Sequence, residues 1–553
     1  MDNVRLFLFM ALAFLGMLLY QAWQEDYGPS IQATAENSGS GEAASSAAGE
    51  TPDAPRQADI DDAAPSVPGL TDTDDQAKTG LVKVLTDTLD LVIDTRGGSI
   101  IDAKLMQYPV AVEQPDNKYR LLSQRPSDYF IVQSGLLGSE SERTPTHEAV
   151  FSSAADSYEL KEGETELVVA LNWTSPDGVA VTKRYTFTRG SHTVLLQHQV
   201  DNASPSIWTG REYRQLQRGE PVETGNAFMY TYTGGAIFSQ EDKYQKYDFD
   251  ELGSGQLDRD VTDGWLAMIQ HYFLGAIVPP RGEKQHYYGK KLSNGRAVIG
   301  AYGPAKTVAP GASDAFTGIL FIGPKLQEEL GELAEGLDLT VDYGWLVFIA
   351  KPMYWILEKI QDFVGNWGWT IIIFTILIKL VFFKLSETSY RSMANMRKMT
   401  PRIQALKDRY GDDKQRMQQA MMELYKTEKI NPLGGCLPML VQMPFFIALY
   451  WVLLESVELR QAPWILWLND LSIKDPFFVL PVLMGASMFV QQKLNPPPPD
   501  PMQAKIMMAL PAVFTVMFAF FPSGLVLYWV VNNLLSITQQ WVITRRIEQG
   551  AKE

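Results

Sequence analysis

The chain has 553 residues, 46% of them hydrophobic, one cysteine (Cys436), and 48 Lys+Arg against 64 Asp+Glu for a formal charge of −16. The charge is uneven: residues 24–341 hold 26 basic and 47 acidic side chains, whereas residues 342–553 hold 21 and 16. An acidic, soluble-looking body joined to a slightly basic, apolar half excludes a single globular enzyme, a wholly disordered chain and a disulfide-stapled secreted domain, because a lone cysteine has no partner within the chain.

Residues 1–23 place Arg5 ahead of an apolar run from Leu6 to Tyr20. Trp23 stands where a signal peptidase needs a small side chain, so the segment reads as a retained anchor with Arg5 in the cytoplasm. Residues 24–80 are mostly Ala, Ser, Gly, Pro, Glu and Asp. They have too little apolar surface to offset ordering entropy and predict a flexible acidic tether.

Residues 81–341 change to period-two alternation. The runs 167–173, 179–188 and 192–200, separated by Ser175-Pro-Asp-Gly178 and Arg189-Gly190, predict a meander of antiparallel strands within a large β-sandwich. Catalytic signatures are missing: His147-Glu148 has Phe151 where a zinc-binding helix needs its second histidine, and neither a G-x-S-x-G elbow nor a Walker-type phosphate loop occurs. The histidines, of which His192 and His198 could share a strand face, are expected to be ordinary hydrogen-bonded surface residues. Acidic residues are plentiful, and a sandwich groove that paired two of them would make a membrane-tethered carbohydrate-binding or carbohydrate-processing protein, which stays open as a second reading.

Within 342–367, Leu346, Ile349, Met353, Ile356, Leu357, Ile360, Phe363 and Val364 form an apolar helical stripe interrupted by charges. This is too polar to span and predicts an amphipathic helix lying in the outer interface. Five apolar spans follow at 369–383, 437–454, 477–490, 506–521 and 525–543, which as whole helices occupy 368–386, 434–456, 476–492, 505–521 and 522–544. Between the first two spans, residues 384–435 carry eleven basic side chains, and the loop 455–475 carries two basic and four acidic ones. The positive-inside bias then sets 387–433, the loop 493–504 and the tail 545–553 in the cytoplasm and the loop 457–475 outside. Topology alone accounts for the basic segment, so ribosomal RNA contact is a separate claim.

The spans 369–383 and 477–490 cover roughly 21–23 Å at ~1.5 Å per residue, short of a ~30 Å hydrocarbon core, so they either thin the bilayer or hold water beside them, or each continues for a further turn. Inside the spans, Tyr528, Asn532, Ser536 and Gln539 share one helical face, and Lys379 sits among Ile376, Leu377, Ile378, Leu380 and Val381 with Thr375 one turn earlier. A cation there costs about 2.5–3.5 kcal/mol on insertion scales, so a polar cavity is its expected surrounding, with snorkelling to the near end as the competing account. A small-solute transporter would usually show internal repeats, and none is visible between the spans.

Four segments carry a specific resemblance: Asn431-Pro-Leu-Gly-Gly-Cys-Leu-Pro-Met-Leu-Val-Gln-Met-Pro-Phe-Phe446, Ser456-Val-Glu-Leu-Arg-Gln-Ala-Pro463, Gly411-Asp-Asp-Lys-Gln-Arg416 and Phe521-Pro-Ser-Gly-Leu-Val-Leu-Tyr528. They resemble the YidC membrane protein insertases of Gram-negative bacteria, and the likeness extends over nearly the whole chain. It implies a polytopic α-helical membrane protein of six transmembrane helices, five forming the core, with a periplasmic β-supersandwich and a cytoplasmic helical hairpin. It further implies an insertase and chaperone, not an enzyme, for nascent inner-membrane proteins. The implied partners are the SecYEG translocon with SecDF, the translating ribosome and the lipid bilayer, with no cofactor or metal. Lys379 falls where most members of the family carry a groove arginine, so charge is kept and the bidentate fork lost. Thr375 and Trp529, the latter often tyrosine in the family, fall on groove positions, and the expected groove also takes in Tyr528, Asn532, Ser536, Gln539 and Gln442. In the hairpin, Met393, Met396 and Met399 with Arg397 and Lys398 are expected to meet substrate or ribosome, hairpin packing being the plainer role of the methionines.

Overall fold

The structure, a computed structural model, describes residues 80–138, 140–220, 231–411, 413–428, 437–495 and 501–549. The expected anchor at 1–23, nearly all of the expected tether and Cys436 lie outside the described residues.

The alternating runs do pair as a meander. Glu166–Thr174, Val179–Thr188 and Thr193–Asn202 are successive antiparallel neighbours. The first turn closes where the Val179 N–H donates to Ser175 Oγ at 2.8 Å and Gly178 takes φ +103°, a conformation that favours glycine. Two sheets, of eleven and nine strands among the described residues, face each other. Their shared core includes Val84, Leu91 and Val132 from one sheet and Leu171, Leu196 and Ile277 from the other. Alternation gives way to continuous burial in Trp265–Ile269 and Phe273–Val278. There the outer face is covered as well: Leu330, Ala334 and Leu337 pack onto Phe238, Trp265, Ile269 and Phe321.

The histidines correct the expectation of surface residues. His147, His192 and His198 are all buried, because each finds a hydrogen-bonding partner inside the domain. His198 Nδ1 lies 2.8 Å from Glu212 Oε1, and the Glu212 carboxylate is also paired with Arg214. His147 Nδ1 meets the Tyr213 hydroxyl, and His192 Nδ1 lies 3.3 Å from Glu329. Lys183, fully buried beside them, donates to Gly97 O at 2.7 Å and Ser134 O at 3.1 Å across the sheets, and burial pushes its ammonium down to about 7. Each histidine thus has one ring nitrogen paired, while Nε2 of His192 and of His198 is buried without a partner among the described residues; no cluster of three or more potential metal ligands occurs among the described residues.

The C-terminal region is helical: α1 (Val347–Val364), α2 (Trp367–Val381), α3 (Phe383–Tyr410), α4 (Lys414–Thr427), α5 (Leu437–Glu455), α6 (Val479–Leu494), α7 (Pro501–Phe518) and α8 (Ser523–Gln549). α1 ends at Gly365 with φ +69°, and Asn366 caps α2 by accepting from the Trp369 N–H at 3.2 Å. α1 buries Ala350, Met353, Tyr354 and Leu357 while leaving Phe348, Trp355 and Phe363 exposed. α3 and α4 flank a turn at Gly411 (φ +44°), joined by the Arg402–Glu428 ion pair. Among the described residues no single helix is long and apolar enough to cross a membrane. The pair Trp367–Val381 and Phe383–Met399, bent by 67°, passes that test together.

A junction ties the two parts. Lys325 Nζ and Glu455 Oε2 pair at 3.1 Å with both side chains under 5% exposed. His271 Nε2 donates to Leu454 O at 2.9 Å, and Arg460 and Gln461 donate to Pro109 O at 2.6 and 2.7 Å.

Candidate functional site

α2 has one inward face. Ile371, Thr375 and Lys379, four residues apart, are buried with Thr370 and Phe374, while Ile376, Leu377, Leu380 and Val381 are exposed. Lys379 therefore points into the bundle although it sits in the last turn of α2. The residue is 9% exposed, and its ammonium donates to Ser536 Oγ on α8 at 2.7 Å. The Ser536 hydroxyl in turn donates to Asn532 O at 2.7 Å, which aims an oxygen lone pair at the cation. Lys379 has no ion-pair partner among the described residues.

A cavity of about 710 Å³ opens beside this pair. Lys379, Thr538 and Gln539 supply its polar wall, and Ile376, Leu380 and Leu535 are among its apolar ones. Glu387, Arg391 and Arg546 also line it, with Arg391 Nη2 on Glu387 Oε1 at 2.8 Å. An ammonium with three donors and one occupied by a hydroxyl keeps two for an incoming acceptor, and the apolar walls suit an aliphatic segment.

The other expected groove residues do not line the cavity: Thr375, Tyr528 and Ser536 are buried, and Gln442, Trp529 and Asn532 are half-buried. Gln442 Nε2 on α5 donates to Asn532 Oδ1 at 3.2 Å. Thr375 turns its hydroxyl back to Ile371 O at 2.6 Å. Tyr528 is buried with its ring centroid 6.1 Å from Phe446, and Trp529 packs on Phe446 and Phe518 at 4.7 and 5.7 Å with its indole N–H unpartnered among the described residues. On α3, Met393 and Met396 are half-buried, Met399 is buried, and Arg397 and Lys398 are exposed; none of the five is among the described residues lining the cavity. Arg391 and Arg546 entered the sequence argument only through the charge bias that sets topology, and Glu387 not at all, although its i,i+4 spacing to Arg391 was the available signal. It also passed over the buried Asn533–Ser487 hydrogen bond at 3.0 Å between α8 and α6.

A large β-sandwich joined to an apolar helical bundle that holds a lysine with no ion-pair partner among the described residues is the make-up of a membrane protein with a large second domain. Residues 81–356 match the family model described as YidC periplasmic domain, and residues 359–550 the model described as 60Kd inner membrane protein. The membrane protein insertase YidC of Methylococcus capsulatus (strain Bath) is 52% identical over 552 residues, covering 100% of this chain and 99% of that protein. That of Thioalkalivibrio sulfidiphilus is 51% identical over 568 residues, covering 100% of both. A crystal structure of an active YidC insertase is 18% identical with a TM-score of 0.38, covering 84% of this chain and 94% of that one. The chain belongs to the YidC family of inner-membrane protein insertases, whose activity is not enzymatic. The carbohydrate-enzyme and solute-transporter readings fall away with that membership.

Proposed function

We propose that the chain inserts and folds nascent inner-membrane proteins through the cavity beside Lys379, alone or with the SecYEG translocon and SecDF, receiving clients from the translating ribosome. In this reading the chain crosses the membrane six times with both termini in the cytoplasm. The β-sandwich and the loop 457–475 are periplasmic, α1 lies in the outer interface on its exposed Phe348, Trp355 and Phe363, and α3 with α4 forms a cytoplasmic hairpin. The charge asymmetry of the sequence supports this topology.

The observation that carries the proposal is Lys379 on the wall of a cavity of about 710 Å³, held there by its hydrogen bond to Ser536. A polar stretch flanking a client's hydrophobic segment loses hydration on entering the bilayer, and an ammonium with free donors replaces part of it, most effectively for acidic side chains. α2 and α6, of 15 and 16 residues, are roughly 22–24 Å long, which shortens the path across a ~30 Å core. The client's apolar helix then leaves along the cavity walls into lipid, driven by hydrophobic transfer. The membrane potential adds about 2.3 kcal/mol per charge per 100 mV for acidic tails. Met393, Met396 and Met399 offer adaptable contacts for arriving segments, and Arg397 and Lys398 a basic approach for the ribosome.

Cells depleted of the native insertase and complemented with Lys379→Ala, Lys379→Glu or Lys379→Arg provide the test, read as protease protection of acidic translocated tails. Ala and Glu should impair insertion while Arg is tolerated. Full insertion by the Glu variant would remove the cation from the mechanism.

A further inference from the structure

On the opposite side of α8 from the cavity, a second pocket of about 350 Å³ is lined by Arg397, Leu494, Gln540, Trp541, Thr544 and Arg545. Arg397 and Arg545 have no ion-pair partner among the described residues, and the Arg545 guanidinium lies over the Trp541 ring at 5.1 Å from its centroid. Gln540 is 3% exposed, and its amide orientation is fixed because Nε2 donates to Leu494 O at 3.3 Å and to Asn495 Oδ1 at 3.1 Å. Its Oε1 is left buried with no donor among the described residues. Two free guanidinium groups ask for an anion, and the orphaned carbonyl asks for a hydrogen-bond donor on the same ligand.

We infer that this pocket binds a phosphoryl group carrying a nearby hydrogen-bond donor, supplied by the headgroup of an inner-leaflet phospholipid. The choice of a lipid rests on the topology proposed above, which brings this end of α8 to the cytoplasmic surface. Arg545 lies nine residues beyond Ser536, about 13 Å along the helix axis. Leu534 and Trp541, each 53% exposed, make an apolar stripe on the same face of α8, leading from hydrocarbon depth to the pocket. A glycerol headgroup offers a hydroxyl to Gln540 Oε1 and an ethanolamine headgroup an ammonium, whereas choline offers no donor. The phosphodiesters of RNA satisfy the arginines equally well and its 2′-hydroxyls can serve the amide oxygen, but the exposed apolar stripe of Leu534 and Trp541 leading to the pocket favours a lipid.

The purified full-length protein is delipidated in detergent and incubated with phosphatidylglycerol, phosphatidylethanolamine or phosphatidylcholine of one acyl composition, and retained lipid is counted by native mass spectrometry. The wild type should retain one of the two donor-bearing lipids about tenfold better than phosphatidylcholine. The Arg397→Gln/Arg545→Gln pair should lower that retention about tenfold, and Gln540→Met should bring it to the phosphatidylcholine level. Arg545→Gln alone, at an exposed position, gives a second variant should the pair unfold. Equal retention of the three lipids, or unchanged retention by the arginine variants, overturns the proposal. Displacement by matched glycerol 3-phosphate reassigns the site to a soluble anion, and displacement by a short RNA to nucleic acid; either result removes the lipid. Because lipid retention is read without insertion, failure here leaves the groove proposal standing, and failure of the Lys379 test leaves this one standing.

Discussion

His271 gives its Nε2 proton to Leu454 O, and it does so as a neutral ring: burial, reinforced by the nearby Lys325 charge, pushes its pKa down to about 4 from 6.5. The unfolded ring takes up a proton as pH falls below 6.5, while the folded ring refuses it until about 4. Stability is therefore full above pH 6.5, falls between 6.5 and 4, and stops falling below that. The loss amounts to roughly 1–3 kcal/mol once the partial exposure of the ring is allowed for. His271→Gln keeps a donor for Leu454 O but does not titrate. The expected result is that thermal unfolding of the wild type drops more than that of the variant between pH 7.5 and 5. Parallel pH profiles would mean the ring is protonated in place. Glu458, packed at the same junction against Tyr354, is pushed upward by burial and acts in the opposite sense, which is why the difference between variant and wild type is the quantity to read.

At the scale of helices, the close contact between α6 and α7 rests on one glycine. A methyl group on Gly485 would stand 1.9 Å from Thr515 Oγ1, whose hydroxyl is held by Pro511 O at 2.7 Å. Gly485→Ala should cost about 1–3 kcal/mol as an overpacked contact, and Thr515→Ala, by removing the obstructing oxygen, should recover much of it. A double-mutant cycle on detergent-solubilised protein should show coupling of roughly 1 kcal/mol, and additive effects would mean the helices separate freely. This contact was not legible in the sequence, where Gly485 is one small residue in an apolar run. The face of α8 was legible, because Tyr528, Asn532 and Ser536 recur at helical spacing. So was the inward side of α2, since only one face of a helix can hold Lys379 and Thr375 together. The bend after Val381 was not: Phe382 and Phe383 continue the apolar run without proline or glycine, so the sequence offered no mark of a 67° change of direction.

For the whole molecule, composition and period separated sandwich from bundle, since acidic alternation and long apolar runs obey different solvents. What joins them was invisible, because each contact pairs residues far apart in the chain: Arg460 with Pro109, His271 with Leu454, Lys325 with Glu455. The last of these is buried on both sides, so its two members act as a unit. Removing Lys325 alone leaves the buried Glu455 carboxylate without its ion-pair partner, a defect of roughly 3–5 kcal/mol. Removing both charges together costs far less, since no ion then needs compensating. Lys325→Met should accordingly lower the unfolding temperature of the full-length protein sharply, and Lys325→Met combined with Glu455→Leu should return it close to wild type. If the domain serves only as a neighbour to the insertase core, the double variant should also insert clients normally. A double variant that is stable yet defective in insertion would show instead that charge at the junction transmits something from sandwich to bundle, and that the two parts work as one device.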